Sequence, residues 1–311
     1  MKPAKNENLE RLTGIVEDAI GLLSKDDGYE SPAAPSAGIE TTPSPKGKGL
    51  GEIRCVEKFN FSDECAFSQS SEIGEKFREI RTNIYTLSKV NKINTYVLTS
   101  CHHNEGKTHL AINTARFLAQ YEGSRVLLID GDMRRPRIYK RVSADYEFGL
   151  EDYLTNKCRL EDALMYSKAD NLTVLPSLKG RSSATEMLES DRMNHLMEVA
   201  RVNFDYVLVD CSPVLSTTDP LVIGPKADGV LITVKSGAVQ RDSVEHAIGL
   251  MRQANARVVG VVLTQVKDYL PSYLHRYNYF SDVYPTYYYK AGEVCDPAKT
   301  TGKKRRWFRR G

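Results

Sequence analysis

The chain has 311 residues, 41% hydrophobic and 27% charged, the balance of an ordinary soluble globular protein. No apolar run approaches the ~18 residues that span a bilayer, and the N-terminus lacks the basic-then-apolar order of a secretory signal, so a cytoplasmic location is expected. The six cysteines (55, 65, 101, 158, 211, 295) form no C-x-x-C pair, which argues against a zinc knuckle or a dithiol redox centre. Net charge is +3, but Lys303–Arg310 (KKRRWFRR) carries six positive charges, and removing them leaves −3. The basic character is thus confined to a tail that suits an anionic surface.

The first element in chain order is an amphipathic helix over 8–24, with Leu9, Leu12, Val16, Ala19, Ile20 and Leu23 on one face. It is either a docking segment or a marginal helix that frays, since an isolated helix of this length is weak. Residues 26–69 read as a largely disordered linker, because 31–51 are rich in Pro, Gly, Ser, Thr and Ala and carry almost no large apolar residue. From about residue 70 the pattern changes. Strands are expected at Tyr96–Thr99, Val126–Ile129, Leu172–Leu175, Tyr206–Val209, Val230–Val234 and Val258–Leu263. Helices are expected between them, including 107–121, 185–202 and 239–254. That alternation predicts one α/β domain over 70–266, with a doubly wound, mostly parallel sheet covered on both faces.

The strand at Tyr96–Thr99 leads into Ser100-Cys101-His102-His103-Asn104-Glu105-Gly106-Lys107-Thr108 and then a helix. A phosphate-binding loop reads G-x-x-x-x-G-K-[ST]. Gly106, Lys107 and Thr108 match, and Cys101 stands at the first glycine. The backbone from Asn104 through Glu105, Gly106, Lys107 and Thr108 to His109 would cradle phosphates at the positive end of the helix. Lys107 would reach the terminal phosphates and Thr108 a Mg²⁺ ion, so ATP and Mg²⁺ are the expected ligands. His102 and His103, with no third ligand nearby, read as solvated loop residues.

Two further strands end in acid. Val126–Ile129 runs into Asp130-Gly131-Asp132, and Tyr206–Val209 into Asp210-Cys211-Ser212-Pro213. Ligands collect at the carboxyl ends of strands in an open α/β sheet. Three carboxylates beside a phosphate loop supply the oxygen ligands that Mg²⁺ requires, with one left to accept a proton from an attacking hydroxyl.

The set of GKT, LLIDGDMRRP (127–136) and VLVDCSP (207–213) resembles the bacterial tyrosine kinases of the capsule and exopolysaccharide type, a branch of the ParA/MinD-like P-loop proteins. Glu75-x-x-Arg78-x-x-Arg81 matches their ring-assembly motif and falls on one side of a helix. Eight of the 17 tyrosines (Tyr269, Tyr273, Tyr277, Tyr279, Tyr284, Tyr287, Tyr288, Tyr289) crowd into the tail that 267–311 forms. The resemblance implies an autokinase that phosphorylates this cluster in a neighbouring subunit of a ring. It implies Lys107, Asp130 and Asp132 as catalytic residues, Thr108, Asp132 and Asp210 at the metal, and Asp130 as the base, with Asp130 and Asp132 free to exchange roles. A separate transmembrane activator of the polysaccharide co-polymerase type is implied as partner. The basic tail with Trp307 and Phe308 would then hold the protein peripherally at the inner face of the membrane; a nucleic-acid contact is not the favoured reading of it. Departures are His103 for a common proline, Ser183–Leu188 for a Pro-Asn-Pro element, and Thr264-Gln265 where relatives carry a base-reading asparagine. The alternatives are a ParA/MinD-like ATPase, against which His102 at the signature-lysine position argues, and a nucleotide-binding pseudokinase scaffold.

Overall fold

The computed structural model describes residues 50–62, 71–121 and 123–266. The six expected strands all form: β3 (Thr95–Ser100), β4 (Val126–Asp130), β7 (Leu172–Leu175), β8 (Tyr206–Asp210), β9 (Gly229–Lys235) and β10 (Val258–Thr264). They lie side by side in the order β7-β4-β8-β3-β9-β10, every neighbouring pair parallel. Successive residues alternate between two cores. Val97, Leu127, Ile129, Val207 and Val209 pack on one face, and Tyr96, Leu98, Val126, Leu128 and Leu208 on the other. Covering both faces is why these strands read as unbroken apolar runs rather than alternating ones. Each fully buried aliphatic side chain contributes roughly 1.5–3 kcal/mol.

Helices α1 (Glu72–Asn91) and α2 (Lys107–Ala119) cover one face, where Phe77 and Ile84 meet Leu110, Ile112 and Leu118. Ser71 starts α1 by accepting the Gly74 N–H at 3.1 Å, a cap that satisfies one of the helix's orphan donors. Two small helices with no expected counterpart, α4 (Leu150–Leu154) and α5 (Leu160–Ala163), and then α6 (Ala184–Glu189), α7 (Asp191–Asn203), α8 (Asp219–Ile223) and α9 (Arg241–Gln253) supply the other face; the remaining short helix, α3 (Ile138–Arg141), follows β4.

Three features differ from the sequence expectation. The helix expected over 185–202 is two helices, α6 and α7. Ser190 ends the first in an extended conformation and caps the second by accepting the Met193 N–H at 3.3 Å. The sheet also carries two more strands at one side, β6 (Met165–Ser167), antiparallel to β7, and β1 (Arg54–Val56), parallel to β6. A separate two-stranded ribbon pairs β2 (Asn60–Phe61) with β5 (Val142–Ser143). The third difference follows from these. Residues 50–62 fall inside the expected linker, yet Ile53 and Phe59 are buried, and the Gly51 and Phe59 N–H groups bond to Glu161 and Asp170 at 2.8 and 2.9 Å. The folded body therefore begins before residue 70. The expected helix over 8–24 and the tail from 267 lie outside the described residues.

The chain leaves β3, passes through α2 and enters β4, and β8 later fills the gap between them. The loop after β3 and the acidic ends of β4 and β8 are thereby brought together at the carboxyl end of the three central strands.

Candidate active site

The loop between β3 and α2 turns through two left-handed residues, Asn104 (φ 64°) and Gly106 (φ 89°). Asparagine tolerates this conformation better than most residues, which lets the loop form with glycine at one of the two positions. Glu105 is buried between them. Its carboxylate accepts the His102 N–H, and its carbonyl accepts the Thr264 hydroxyl at 2.6 Å from the end of β10. Glu105 thus braces the loop with both its side chain and its carbonyl. Burial raises its carboxyl, with the His102 amide opposing. Thr264, where the resemblance leads one to expect an asparagine, is engaged with the loop backbone. His102 and His103 are exposed. The His109 ring packs against Phe77 with centroids 6.0 Å apart, so the backbone of His109 is the part that faces the loop.

Lys107 opens α2 and is almost fully buried. Its Nζ lies 2.7 Å from Asp132 Oδ2 and 3.8 Å from Asp210 Oδ1. Burial alone would depress the ammonium, but Asp210 and Asp132 outweigh it and its pKa is raised, so Lys107 is charged. Asp130 and Asp210 are register partners at the ends of β4 and β8. Gly131 follows at the point of closest approach, where a Cβ would lie 2.9 Å from the Asp210 carbonyl oxygen. Asp130 is fully buried. Its Oδ2 accepts the N–H groups of Arg137 and Ile138 at 3.1 and 2.9 Å, and its Oδ1 has no hydrogen-bond partner. Neither oxygen of Asp210 has a donor in good hydrogen-bond geometry; the Lys107 ammonium, 3.8 Å from Oδ1, and the neighbouring Thr108 hydroxyl are the groups that offset its burial. Burial first, then the proximity of Asp210, pushes the Asp130 carboxyl well up; burial also raises Asp210, with Lys107 opposing. Thr108 stands next to Lys107, buried.

The site therefore brings Lys107, Thr108, Asp130, Asp132 and Asp210 together, three carboxylates facing one ammonium. Buried polar atoms without partners are rare and costly in a folded protein. Three such oxygens stand on the neighbouring ends of β4 and β8 and are the donor type a hard divalent cation takes, although among the described residues no three acidic, histidine or cysteine side chains are grouped to hold a metal ion as they stand.

Glu75, Arg78 and Arg81 lie elsewhere, on the outer face of α1. Arg78 Nε bonds Glu75 at 2.9 Å, and the Arg81 guanidinium lies 5.4 Å from the centre of the Tyr121 ring. The eight tail tyrosines and the basic tail are outside the described residues.

Sequence reasoning missed Asp219. This residue is fully buried at the start of α8, and its carboxylate accepts from Arg134 and Ser212 on the loops after β4 and β8 and from Thr185 in the first turn of α6. In the sequence it stands before Pro220 and after Thr218, the ordinary signature of a helix start, and nothing local marks its partner 85 residues away.

A family model described as an AAA domain (AAA_31) matches residues 101–258. The tyrosine-protein kinase CpsD of Streptococcus agalactiae is 31% identical over 212 residues, 68% of this chain and 91% of that protein. The tyrosine-protein kinase YwqD of Bacillus subtilis is 31% identical over 193 residues, 62% of this chain and 81% of that protein. Among solved structures, the chimerical protein CapA2B2 superposes with a TM-score of 0.61 at 28% identity, over 69% of this chain and 94% of that one. The kinase domain of the Escherichia coli tyrosine kinase ETK superposes with a TM-score of 0.64 at 24% identity, over 73% and 88%, a likeness of fold.

Proposed function

This chain belongs to the AAA-domain family and, within it, to the bacterial tyrosine-protein kinases, and on that premise we propose that it is an ATP- and Mg²⁺-dependent autokinase whose acceptors are the tail tyrosines between Tyr269 and Tyr289 of a neighbouring copy. The observation that carries the reading is the buried cluster at the carboxyl ends of β4 and β8: a charged Lys107 held 2.7 Å from Asp132, beside Asp130 and Asp210 oxygens that lack donors in good hydrogen-bond geometry.

Each group has a task. The loop amides and the end of α2 receive phosphate oxygens, because a helix N-terminus offers unpaired N–H donors and positive potential. Asp132 fixes Lys107 Nζ at the mouth, so the ammonium is already placed where negative charge collects, and no reorganisation is needed during the reaction. Thr108, Asp132 and Asp210 would hold Mg²⁺, which neutralises phosphate charge when bound. Asp130 Oδ1 is the atom free to take the proton of a tyrosine hydroxyl, and burial and the neighbouring Asp210 make it a stronger base than an exposed carboxylate. Phosphoryl transfer depends mainly on positioning and charge, so this set is sufficient. The control of capsule or exopolysaccharide export, the ring built through Glu75, Arg78 and Arg81, the separate transmembrane activator and the peripheral membrane contact of Lys303–Arg310 are the biological setting that the sequence resemblance supports.

The test is incubation of the full chain with ATP and Mg²⁺, followed by location of phosphate by mass spectrometry. Phosphotyrosine within 269–289 that disappears in Lys107→Met is the expected result. Phosphotyrosine that persists when all eight tail tyrosines are replaced by Phe would overturn the tail assignment.

A further inference from the structure

The two loops that bear the metal-facing carboxylates are joined behind the site by one buried residue. Arg134 lies two positions after Asp132, and Ser212 two positions after Asp210. Both bond to Asp219: Arg134 Nε and Nη2 reach Oδ2 and Oδ1 at 2.8 and 3.2 Å, and Ser212 Oγ donates to Oδ2 at 3.2 Å. The Thr185 hydroxyl adds a bond to Oδ1 at 2.6 Å, and Arg134 Nη2 donates to that same hydroxyl at 2.8 Å. Arg134 Nη1 also donates to the Ser182 carbonyl at 3.3 Å, so the loop after β7 is included.

A helix-capping role does not account for this geometry. Asp219 is the first residue of α8, the residue before it makes no side-chain cap, and the four bonds named for the Asp219 carboxylate go to other elements. The guanidinium–carboxylate contact is bidentate, and such a pair fixes orientation as well as separation. Asp219 is fully buried whereas the Arg134 side chain is about one-third exposed (34%), so the carboxylate is the fixed point and the arginine is drawn to it.

We propose that Asp219 is a positioning residue: through Arg134 and Ser212 it sets the spacing of the loops carrying Asp132 and Asp210, and so the fit of the site for a divalent cation. The inference rests on the metal reading given under Proposed function. Residues that orient a metal's ligands typically change its affinity ~10–100-fold when altered.

The full-length protein can be loaded with ADP and titrated with Mn²⁺, with bound ion read by electron paramagnetic resonance and nucleotide affinity measured separately in metal-free buffer. In Asp219→Asn and Arg134→Gln, Mn²⁺ binding to the ADP complex should weaken at least ~10-fold, with metal-free ADP affinity unchanged. Should Asp219→Asn fail to fold, Arg134→Gln decides, since it removes a partly exposed group and leaves Asp219 with Ser212 and Thr185. Unchanged Mn²⁺ affinity in a folded variant overturns the proposal, as does equal loss of metal-free ADP binding, which would mark general damage. Wild-type protein that binds ADP but no Mn²⁺ would instead sink the metal reading on which the proposal stands.

Discussion

Two charged regions of this molecule handle charge in opposite ways. On α1, Glu75, Lys76, Arg78 and Glu79 are largely exposed and paired with one another, and Arg78 holds the Glu75 carboxyl below its ordinary value. At the carboxyl ends of the central strands, Asp130 and Asp210 are fully buried, neighbours in register, and short of hydrogen-bond donors. Exposed pairs in water are individually weak, whereas a buried carboxylate without a donor costs stability. The difference teaches where function is built. The α1 stripe is paired within one chain, and the buried carboxylates at the strand ends keep acceptor capacity for a bound cation.

That comparison can be broken most sharply at Asp210. Replacing it with Asn should lower autophosphorylation by ~10²–10³-fold, the usual effect of removing one group that stabilises transition-state charge. Initial rates of phosphotyrosine formation at saturating ATP give the measurement. A variant as active as wild type would mean that the partnerless oxygens are incidental.

Stability should move the other way. Asp130 and Asp210 hold protons more tightly folded than unfolded. Their contribution is therefore complete below the ordinary carboxylate pKa and is lost as pH rises through the elevated folded values. At neutral pH, without nucleotide or metal, Asp210→Asn should melt above wild type, by about 2–4 °C for each kcal/mol relieved. The gap should close below about pH 3, where both carboxyls are protonated in either state. Calorimetry across that range checks the sign; a wild-type protein that gains stability relative to the variant as pH rises would contradict it.

The smallest thermal effect belongs to α1. Charge reversal of Arg78 and Arg81 to Glu should leave the melting temperature nearly unchanged while shifting the assembled mass seen by analytical ultracentrifugation. A large loss of thermal stability with no change in mass would place the stripe among the structural pairs and remove it from assembly.

The sequence made the interior of the sheet readable because β3, β4, β8 and β9 are buried on both faces, and their apolar runs need no knowledge of neighbours. The edges were harder. Arg54–Val56 and Met165–Ser167 are three residues each and part polar; the first exists as a strand through pairing with the second across more than a hundred positions, and the second also pairs with the nearby β7. The break at Ser190 was signalled locally, since Ser-Asp is a helix-start pair, but the apolar positions on both sides keep a helical spacing and conceal it. At the site, Lys107, Asp130 and Asp210 were legible because each ends a strand or opens a helix, and Asp132 because it follows Asp130 by two positions. Asp219 was not, because its meaning lies in two loops and the first turn of α6, which meet only after folding.

Cys101 stands at the first position of the phosphate loop, where a chemist designing a covalent ligand for a nucleotide pocket would look for a thiol. The side chain is fully buried, and burial, with Glu105 adding, pushes its thiol up to about 12. Only the thiolate attacks an electrophile, so this cysteine offers no warhead target while the fold is intact. Its alkylation would report unfolding, which makes Cys101 a reporter of loop integrity in place of a drug handle.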